Sequence, residues 1–286
     1  MNNNKIIAVW GNPYAGKTIV SIKLAKELST KKKNVIVVFC DVLSPSIMTI
    51  LPFEKTENKS LGSILSAPDI TQEDILSKCI TLEKNPYISL LGYSQGENIF
   101  TYASYSKERV VDFLILLRHL ADYVIIDCSS VFAYDTLSAV ALEMADSVVR
   151  LCSSNLKAVS YFSSYLPLLA DRRFNVDKHI KVLSKVKEKE PKDQIIEMYR
   201  GVKYELPYTE EIENQFLSAL LFNELKDKNS LEYENTIRAL SNYLIDETED
   251  TKKSISKKNT VQTKSKIKEI SLFKKAFVLG KGGTNS

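Results

Sequence analysis

Eight residues near the start of the chain have the composition and spacing of a phosphate-binding loop. Gly11 and Gly16 bracket the segment, and Lys17 and Thr18 complete the pattern G-x-x-x-x-G-K-T. Backbone N–H groups in such a loop bind phosphate oxygens, the lysine reaches the β- and γ-phosphates, and the hydroxyl is a ligand for Mg²⁺. The glycines are expected to let the backbone approach the phosphates. We predict that nine residues contact a nucleoside triphosphate: Gly11, Asn12, Pro13, Tyr14, Ala15, Gly16, Lys17, Thr18 and Ile19.

Two aspartates, Asp41 and Asp127, each follow a continuous apolar run. A carboxylate at a strand end beside a phosphate loop can hold Mg²⁺, and we predict this role for Asp127 together with Thr18. A second carboxylate near the metal can orient the water that attacks the γ-phosphate, so Asp41 and Lys17 are the candidate catalytic residues. For either aspartate the alternative is a structural role at the start of the following loop.

Apolar strand-like runs alternate with stretches of helical periodicity along most of the chain. This alternation predicts an α/β fold, a doubly wound and mainly parallel sheet with helices on both faces. Ligands of such sheets bind outside the carboxyl ends of the strands, where the phosphate loop, Asp41 and Asp127 should therefore meet. The predicted strands are 6–10, 35–40, 88–91, 123–126, 147–151 and 180–183, and the predicted helices after the first, which begins near Ile19, are 60–66, 71–79, 107–120, 136–144, 156–171, 191–200 and 231–245.

The overall composition is that of an ordinary globular protein, with 44% hydrophobic and 26% charged residues among 286. No apolar run approaches the length of a transmembrane helix, and the segment before the first strand is too short for a signal peptide. The four cysteines form no C-x-x-C pair, which favours buried thiols over a metal site or disulfides. We expect a cytoplasmic protein.

Charge is distributed unevenly along the chain. The net charge of +4 is the balance of −5 in residues 1–250 and +9 in residues 251–286, where ten lysines stand against Glu269 alone. We predict a phosphate-loop ATPase domain over 1–246, a flexible polar linker over 247–265 and a basic amphipathic tail over 266–286. A basic tail of this kind favours an anionic partner.

The tail has the pattern of a helix that lies on a membrane surface. Ile267, Ile270, Phe273 and Phe277 recur at helical spacing, and lysines flank the apolar face that they form. This pattern predicts binding to anionic lipid, which would place the protein at the inner face of the cell membrane. The alternatives are a helix packed on the body of the protein and a disordered tail.

Four segments, VWGNPYAGKT, VIVVFCDV, DYVIIDCSS and ADSVVRLCSS, resemble the MinD/ParA family of P-loop ATPases over residues 5 to about 246. The resemblance implies that ATP or ADP binds with Mg²⁺, that two subunits sandwich two ATP molecules, and that hydrolysis separates them. It implies that Asp41 orients the attacking water. It also places Pro207, in the segment LPYTE, near the nucleotide base.

The chain departs from the family pattern at three positions. Asn12 stands where the family carries a lysine that crosses to the partner subunit, which predicts slow hydrolysis or a switch that seldom turns over. Ser184 replaces an asparagine that often contacts the base, and Ser129 replaces a frequent proline. Loops of this kind resemble those of divergent members associated with Tad-type pilus assembly and polar localisation.

These observations predict an ATP-dependent molecular switch that dimerises on ATP and acts with an unidentified protein partner in a membrane-linked machinery, such as a pilus or secretion system. The alternative is a ParA-like DNA-partitioning ATPase that binds nucleic acid through its lysines without sequence preference. The aromatic residues of the tail favour lipid over nucleic acid. A small-molecule kinase built on the same loop has no further motif in its favour.

Overall fold

Eight strands form a single sheet in the order β3-β4-β2-β5-β1-β6-β7-β8, with every neighbouring pair parallel except β3 and β4. The computed structural model describes residues 4–52, 58–187, 189–190 and 192–254. The strands are β1 (Lys5–Gly11), β2 (Val35–Phe39), β3 (Ile80–Leu82), β4 (Asn85–Gly92), β5 (Tyr123–Asp127), β6 (Ser147–Ser153), β7 (His179–Val186) and β8 (Val202–Pro207).

Helices cover both faces of the sheet because the central strands are apolar on both sides. In β1, Ile6, Ala8 and Trp10 belong to one buried cluster, whereas Ile7 and Val9 belong to the other. The second cluster includes residues of α1 (Lys17–Thr30), α2 (Ile47–Ile50), α9 (Glu210–Leu217) and α10 (Leu231–Ser254). The first includes residues of α3 (Leu61–Leu65), α4 (Gln72–Lys78), α5 (Lys107–Leu120), α6 (Thr136–Met144), α7 (Leu156–Tyr165) and α8 (Lys192–Tyr199). The predicted fold class is confirmed.

Several element boundaries differ from those predicted. The helix predicted over 156–171 ends at Tyr165, and a 3₁₀ turn containing Pro167 follows it. Proline lacks the N–H that would continue the α-helical ladder, which accounts for the change. The prediction also missed α2, β3, α9 and β8.

The helix α10 is longer than the helix predicted over 231–245. It continues to Ser254, eight residues beyond the predicted domain end at 246. Residues 247–254 lack apolar periodicity, but a helix already anchored by buried turns needs only backbone hydrogen bonds to continue. The rest of the predicted linker and the whole tail lie outside the described residues.

The sheet register places the predicted site residues at one edge. Asp127 at the end of β5 lies beside Val9 of β1 on one side and Phe39 of β2 on the other. The loop after β1, the turn after β2 and the end of β5 are therefore neighbours. At the opposite edge, the Lys5 ammonium donates to the carbonyl of Ile245 at 3.3 Å, so this part of α10 lies far from the phosphate loop.

All four cysteines are buried free thiols, as predicted. Among the described residues, no helix is both long enough and apolar enough to cross a membrane.

Candidate functional site

The loop between β1 and α1 has a backbone conformation that requires glycine for two different reasons. Gly16 caps α1 with φ +82°, in the left-handed region that glycine adopts without strain. Gly11 lies against β6, where a Cβ atom would come within 2.1 Å of the Leu151 carbonyl oxygen. Gly11 therefore serves the close approach of two strands, a role that the sequence analysis did not include.

Lys17 begins α1, and its side chain points toward the loop after β5. Its ammonium donates to the Ser130 hydroxyl at 2.6 Å. Burial lowers the pKa of Lys17, while the carboxylates of Asp127 and Asp41 act in the opposite direction. The two acids therefore offset part of the cost of burying this cation.

Ser130 was missed in the sequence, although it belongs to the loop that follows the Asp127 strand. Its carbonyl oxygen accepts a hydrogen bond from the Trp10 indole N–H at 3.4 Å and another from the Tyr161 hydroxyl. These two contacts hold the loop in place, so the Ser130 hydroxyl presents a fixed acceptor to Lys17.

Thr18 and Asp127 form a pair suited to a divalent cation. The Thr18 hydroxyl donates to Asp127 Oδ2 at 2.6 Å, while Asp127 Oδ1 is buried and has no hydrogen-bond partner among the described residues. Burial raises the pKa of Asp127 to about 6, although the Lys17 charge and the Thr18 hydroxyl act to lower it. A buried carboxylate oxygen without a partner, next to a hydroxyl, fits the oxygen ligands that Mg²⁺ prefers.

Asp41 lies just after β2 and shapes the turn that follows. Its Oδ1 accepts backbone N–H bonds from Leu43 at 2.9 Å and from Ser44 at 3.1 Å. Its charge opposes the lowering of the Lys17 pKa by burial and adds to the raising of the Asp127 pKa by burial, so Asp41 lies close enough to act on the site electrostatically. Asp41 therefore has the structural role at the start of the following loop. The same two hydrogen bonds orient its carboxylate beside the phosphate loop.

Asn12 is turned into the protein and not toward solvent. The side chain is 3% exposed, its Nδ2 donates to the Ser153 hydroxyl at 3.2 Å and to the Pro13 carbonyl at 2.8 Å, and its Oδ1 accepts from the Ser153 N–H at 3.0 Å. These contacts join the loop to the end of β6. Position 12 therefore serves loop geometry and brings no positive charge to the site.

An apolar pocket of about 160 Å³ opens beside the loop. Its walls include Ile19, a predicted nucleotide contact, and Pro207, the predicted base contact, together with Ala15 and Gly16 of the loop itself. Further walls come from β7, β8 and the first turns of α9: Ser184, Lys185, Leu206, Tyr208, Thr209, Ile212, Glu213, Phe216 and Leu217. A planar, largely apolar group such as a nucleotide base suits this lining.

Ser184 does not offer its hydroxyl proton to the pocket. It is buried, and its Oγ donates to the Ala15 carbonyl at 2.8 Å, which ties β7 to the phosphate loop. The Ser184 hydroxyl proton is therefore committed to the protein, and the pocket offers mainly apolar contacts.

Lys23 joins the phosphate helix to the wall of the pocket. Its buried ammonium donates to Gln215 Oε1 at 2.6 Å, to the Leu221 carbonyl at 2.7 Å and to the Asn223 carbonyl at 3.2 Å. Burial lowers the pKa of Lys23 to about 8. The segment around α9 is therefore attached to α1 by three hydrogen bonds from one lysine. No sequence motif predicted this role.

Comparison with known proteins agrees with this arrangement. The family model described as an AAA domain, AAA_31, matches residues 4–177, which include the phosphate loop, Asp41 and Asp127. A search of curated protein sequences finds no significant match.

Three solved structures share the fold. The ParA family ATPase of Chlorobium tepidum TLS is 17% identical with a TM-score of 0.71, and the alignment covers 85% of this chain and 100% of that one. MinD of Pyrococcus horikoshii OT3 in complex with Mg-ADP is 16% identical, TM-score 0.66, covering 88% and 100%. A plasmid partition protein of Borrelia burgdorferi B31 bound to AMPPNP is 18% identical, TM-score 0.63, covering 85% and 99%. With the family model matching well over half of its residues, this chain belongs to the AAA_31 family, and it has the fold of these ParA and MinD structures.

Proposed function

We propose that the chain binds ATP with Mg²⁺, dimerises in that state, and returns to the monomer when the nucleotide is hydrolysed or released. The observation that carries this proposal is the placement of Lys17, Thr18 and Asp127 on one side of the loop and of an apolar pocket on the other. A nucleotide laid along the loop would have its base beside Pro207 and its terminal phosphates at Lys17.

The roles of the residues follow from their contacts. Lys17 exchanges the Ser130 hydroxyl for phosphate oxygens, with its charge already supported by Asp127 and Asp41. Thr18 and Asp127 Oδ1 would hold Mg²⁺, which when bound neutralises phosphate charge. Asp41 accepts a hydrogen bond from the attacking water and orients it toward the γ-phosphate.

We propose that hydrolysis is slow. A cation at position 12 would stabilise charge that develops in the transition state, and Asn12 carries none and is bonded to Ser153. The chain then acts as a switch in which the ATP-bound state is long-lived, and either a partner or the second subunit sets the rate of turnover.

Dimerisation is supported by apolar side chains exposed at the edge where the phosphates would bind. Tyr14 in the loop and Tyr134 after β5 are each 90% exposed, and Leu43 after β2 is 73% exposed. These three side chains come from the segments that follow β1, β2 and β5. A second copy of the chain would cover them together with the nucleotide, as expected of a self-complementary interface.

The basic tail is proposed to bind anionic lipid and to place the switch at the inner membrane face, in the assembly or positioning of a membrane-linked machinery such as a pilus or secretion system. Lysines around Phe273 and Phe277 support this proposal. Because one short amphipathic segment binds weakly, a dimer with two tails would bind much more tightly than a monomer. Binding to DNA through the same lysines is the competing function.

Two measurements on the full chain test the proposal. Light scattering after size exclusion should show a monomer with ADP and a dimer with ATP and Mg²⁺; a monomer under both conditions contradicts the switch. Flotation with vesicles containing anionic phospholipid should increase with ATP and disappear when residues 262–286 are removed or when Phe273→Glu and Phe277→Glu are combined. A DNA mobility shift that depends on the tail, without flotation, would favour the partitioning function.

A further inference from the structure

Lys185 stands out because its backbone is strained at the point where β7 meets the phosphate loop. Its φ is +54°, in the left-handed region that lysine rarely adopts. The pairing of β7 with β8 is irregular here, since Ser184 pairs with Leu206 and Val186 with Pro207 while Lys185 stands between them. Bulges of this kind re-aim a side chain, and strained residues that persist in a fold often lie at functional sites.

The side chain of Lys185 is aimed at the phosphate loop. Its Cε lies 3.5 Å from the position that a Cβ of Gly16 would have, and the residue also lines the apolar pocket. Within the part of the chain that the structure describes, no carboxylate forms an ion pair with it, whereas the nearby Lys192 pairs with Glu205 at 3.1 Å. Glu213, the acidic residue among the pocket walls, accepts a hydrogen bond from the Tyr208 hydroxyl.

Lys185 approaches Gly16 from the side opposite to Lys17. The Lys17 ammonium lies at Ser130, after β5, and Lys185 comes from β7; in the sheet, these two strands lie on opposite sides of β1. A nucleotide with its base in the pocket and its last phosphate at Lys17 must pass Gly16 between the two. Lys185 would then meet the phosphates nearest the ribose.

We propose that Lys185 is a second phosphate-binding lysine, which contacts the α- and β-phosphates of a bound nucleoside di- or triphosphate from the base side of the loop. The inference rests on the proposed nucleotide site. The proposal gives a reason for a lysine at this left-handed position. The strained backbone costs stability, and the lysine charge would contribute to phosphate binding.

The test is isothermal titration of the full chain with ATP, ADP and adenosine at low and high salt. Lys185→Met keeps the length of the apolar stem and removes the charge, and it should weaken ATP and ADP binding about tenfold, as expected for loss of one charged hydrogen bond. Adenosine binding should not change, the loss should shrink as salt rises, and Lys185→Arg should restore most of the affinity.

Two further variants distinguish the effect of the Lys185 charge from effects of neighbouring residues and of the backbone conformation. Lys187→Met is the matched control, because Lys187 is two residues away with its ammonium over the Tyr208 ring at 4.5 Å, and it should bind nucleotide like the parent. Lys185→Gly should keep a melting temperature equal to or above that of the parent, since glycine accepts this φ, yet lose the same affinity as Lys185→Met.

Parent-like binding of ATP and ADP by Lys185→Met would overturn the inference while leaving the proposed function intact. An equal loss for adenosine would also overturn it, since that result means packing against the base. If the parent chain binds neither ATP nor ADP, the proposed function and this inference fall together.

Discussion

The two halves of the candidate site are built on different principles. The phosphate half consists of a backbone loop with charged and hydroxyl side chains, Lys17, Thr18, Asp41 and Asp127, which act on one another before any ligand arrives. The base half is an apolar pocket whose buried hydroxyl, that of Ser184, is already bonded to the loop.

We expect the phosphate half to provide most of the affinity for a nucleotide and the base half to provide the selectivity among bases. Charged groups in a partly desolvated site bind phosphates strongly whatever base is attached. A base bound in the pocket lined by Ile19, Pro207, Ile212 and Phe216 would be distinguished from other bases by fit, and shape alone gives modest discrimination. We therefore expect large effects from changes in the phosphate half, intermediate effects from the lysine that joins the halves, and small effects from Ser184.

The largest effect is expected for Lys17→Ala. Loss of a cation that contacts two phosphates should weaken ATP binding by about a hundredfold or more. The fold should persist, because removing a buried charge relieves its desolvation. Titration with a fluorescent ATP analogue measures the affinity and circular dichroism measures the fold, with Lys33→Ala, a half-buried lysine before β2, as the control. Unchanged affinity in a folded variant would contradict the phosphate half as described.

Asp41→Asn should act on turnover more than on binding. The amide still has an oxygen for the Leu43 and Ser44 N–H groups, so the turn should keep its shape, but the charge that orients water is lost. Phosphate release should slow by about tenfold to a hundredfold, and the ATP-bound dimer should accumulate on size exclusion. Equal turnover in parent and variant would leave Asp41 with only its structural role.

The variant Lys23→Met tests how the lysine that joins the two halves affects the pH dependence of stability. In the folded chain burial lowers the pKa of Lys23 from 10.5 to about 8. Between pH 8 and 10 the folded state therefore holds fewer protons at this site than the unfolded state, and the free energy of unfolding should rise with pH.

Between pH 8 and 10, the free energy of unfolding should rise by about 2 kcal/mol more in the parent than in Lys23→Met, since the other titrating groups are common to both. Urea denaturation at a series of pH values measures it. Parallel pH profiles would mean that the three hydrogen bonds of Lys23 keep it charged, and the variant should then be the less stable protein throughout.

The smallest effect is expected for Ser184→Ala. Because the hydroxyl proton is donated to Ala15, its loss should change the ratio of ATP to GTP affinity by less than about threefold. Competition titrations with the two nucleotides measure that ratio. A large change would show that Ser184 turns toward the base and that the pocket reads more than shape.

Much of the phosphate half could be predicted from sequence, because its geometry is local. A loop of eight residues between a strand and a helix specifies its own backbone, and an aspartate at the end of a buried strand must lie at the edge where that loop lies. The mainly parallel pairing of the central strands was also predicted, from the alternation of apolar runs with helical stretches.

The contacts between distant segments could not be predicted. The pairing of Asn12 with Ser153 and that of Lys23 with the segment after α9 depend on which strands and helices become neighbours. The strand β8 was missed because an edge strand is only half-buried and lacks a continuous apolar run. The sequence of α9 does contain a local signal for a helix start, the capping Thr209 followed by two glutamates.

The central claim is that one nucleotide spans both halves of the site, and a crystal structure of the full chain with AMPPNP and Mg²⁺ tests it most directly. The account predicts terminal phosphates at Lys17 with the metal beside Thr18 and Asp127, and the base between Ile19 and Pro207. A nucleotide bound elsewhere, or phosphates in the loop with the base outside the pocket, would contradict it.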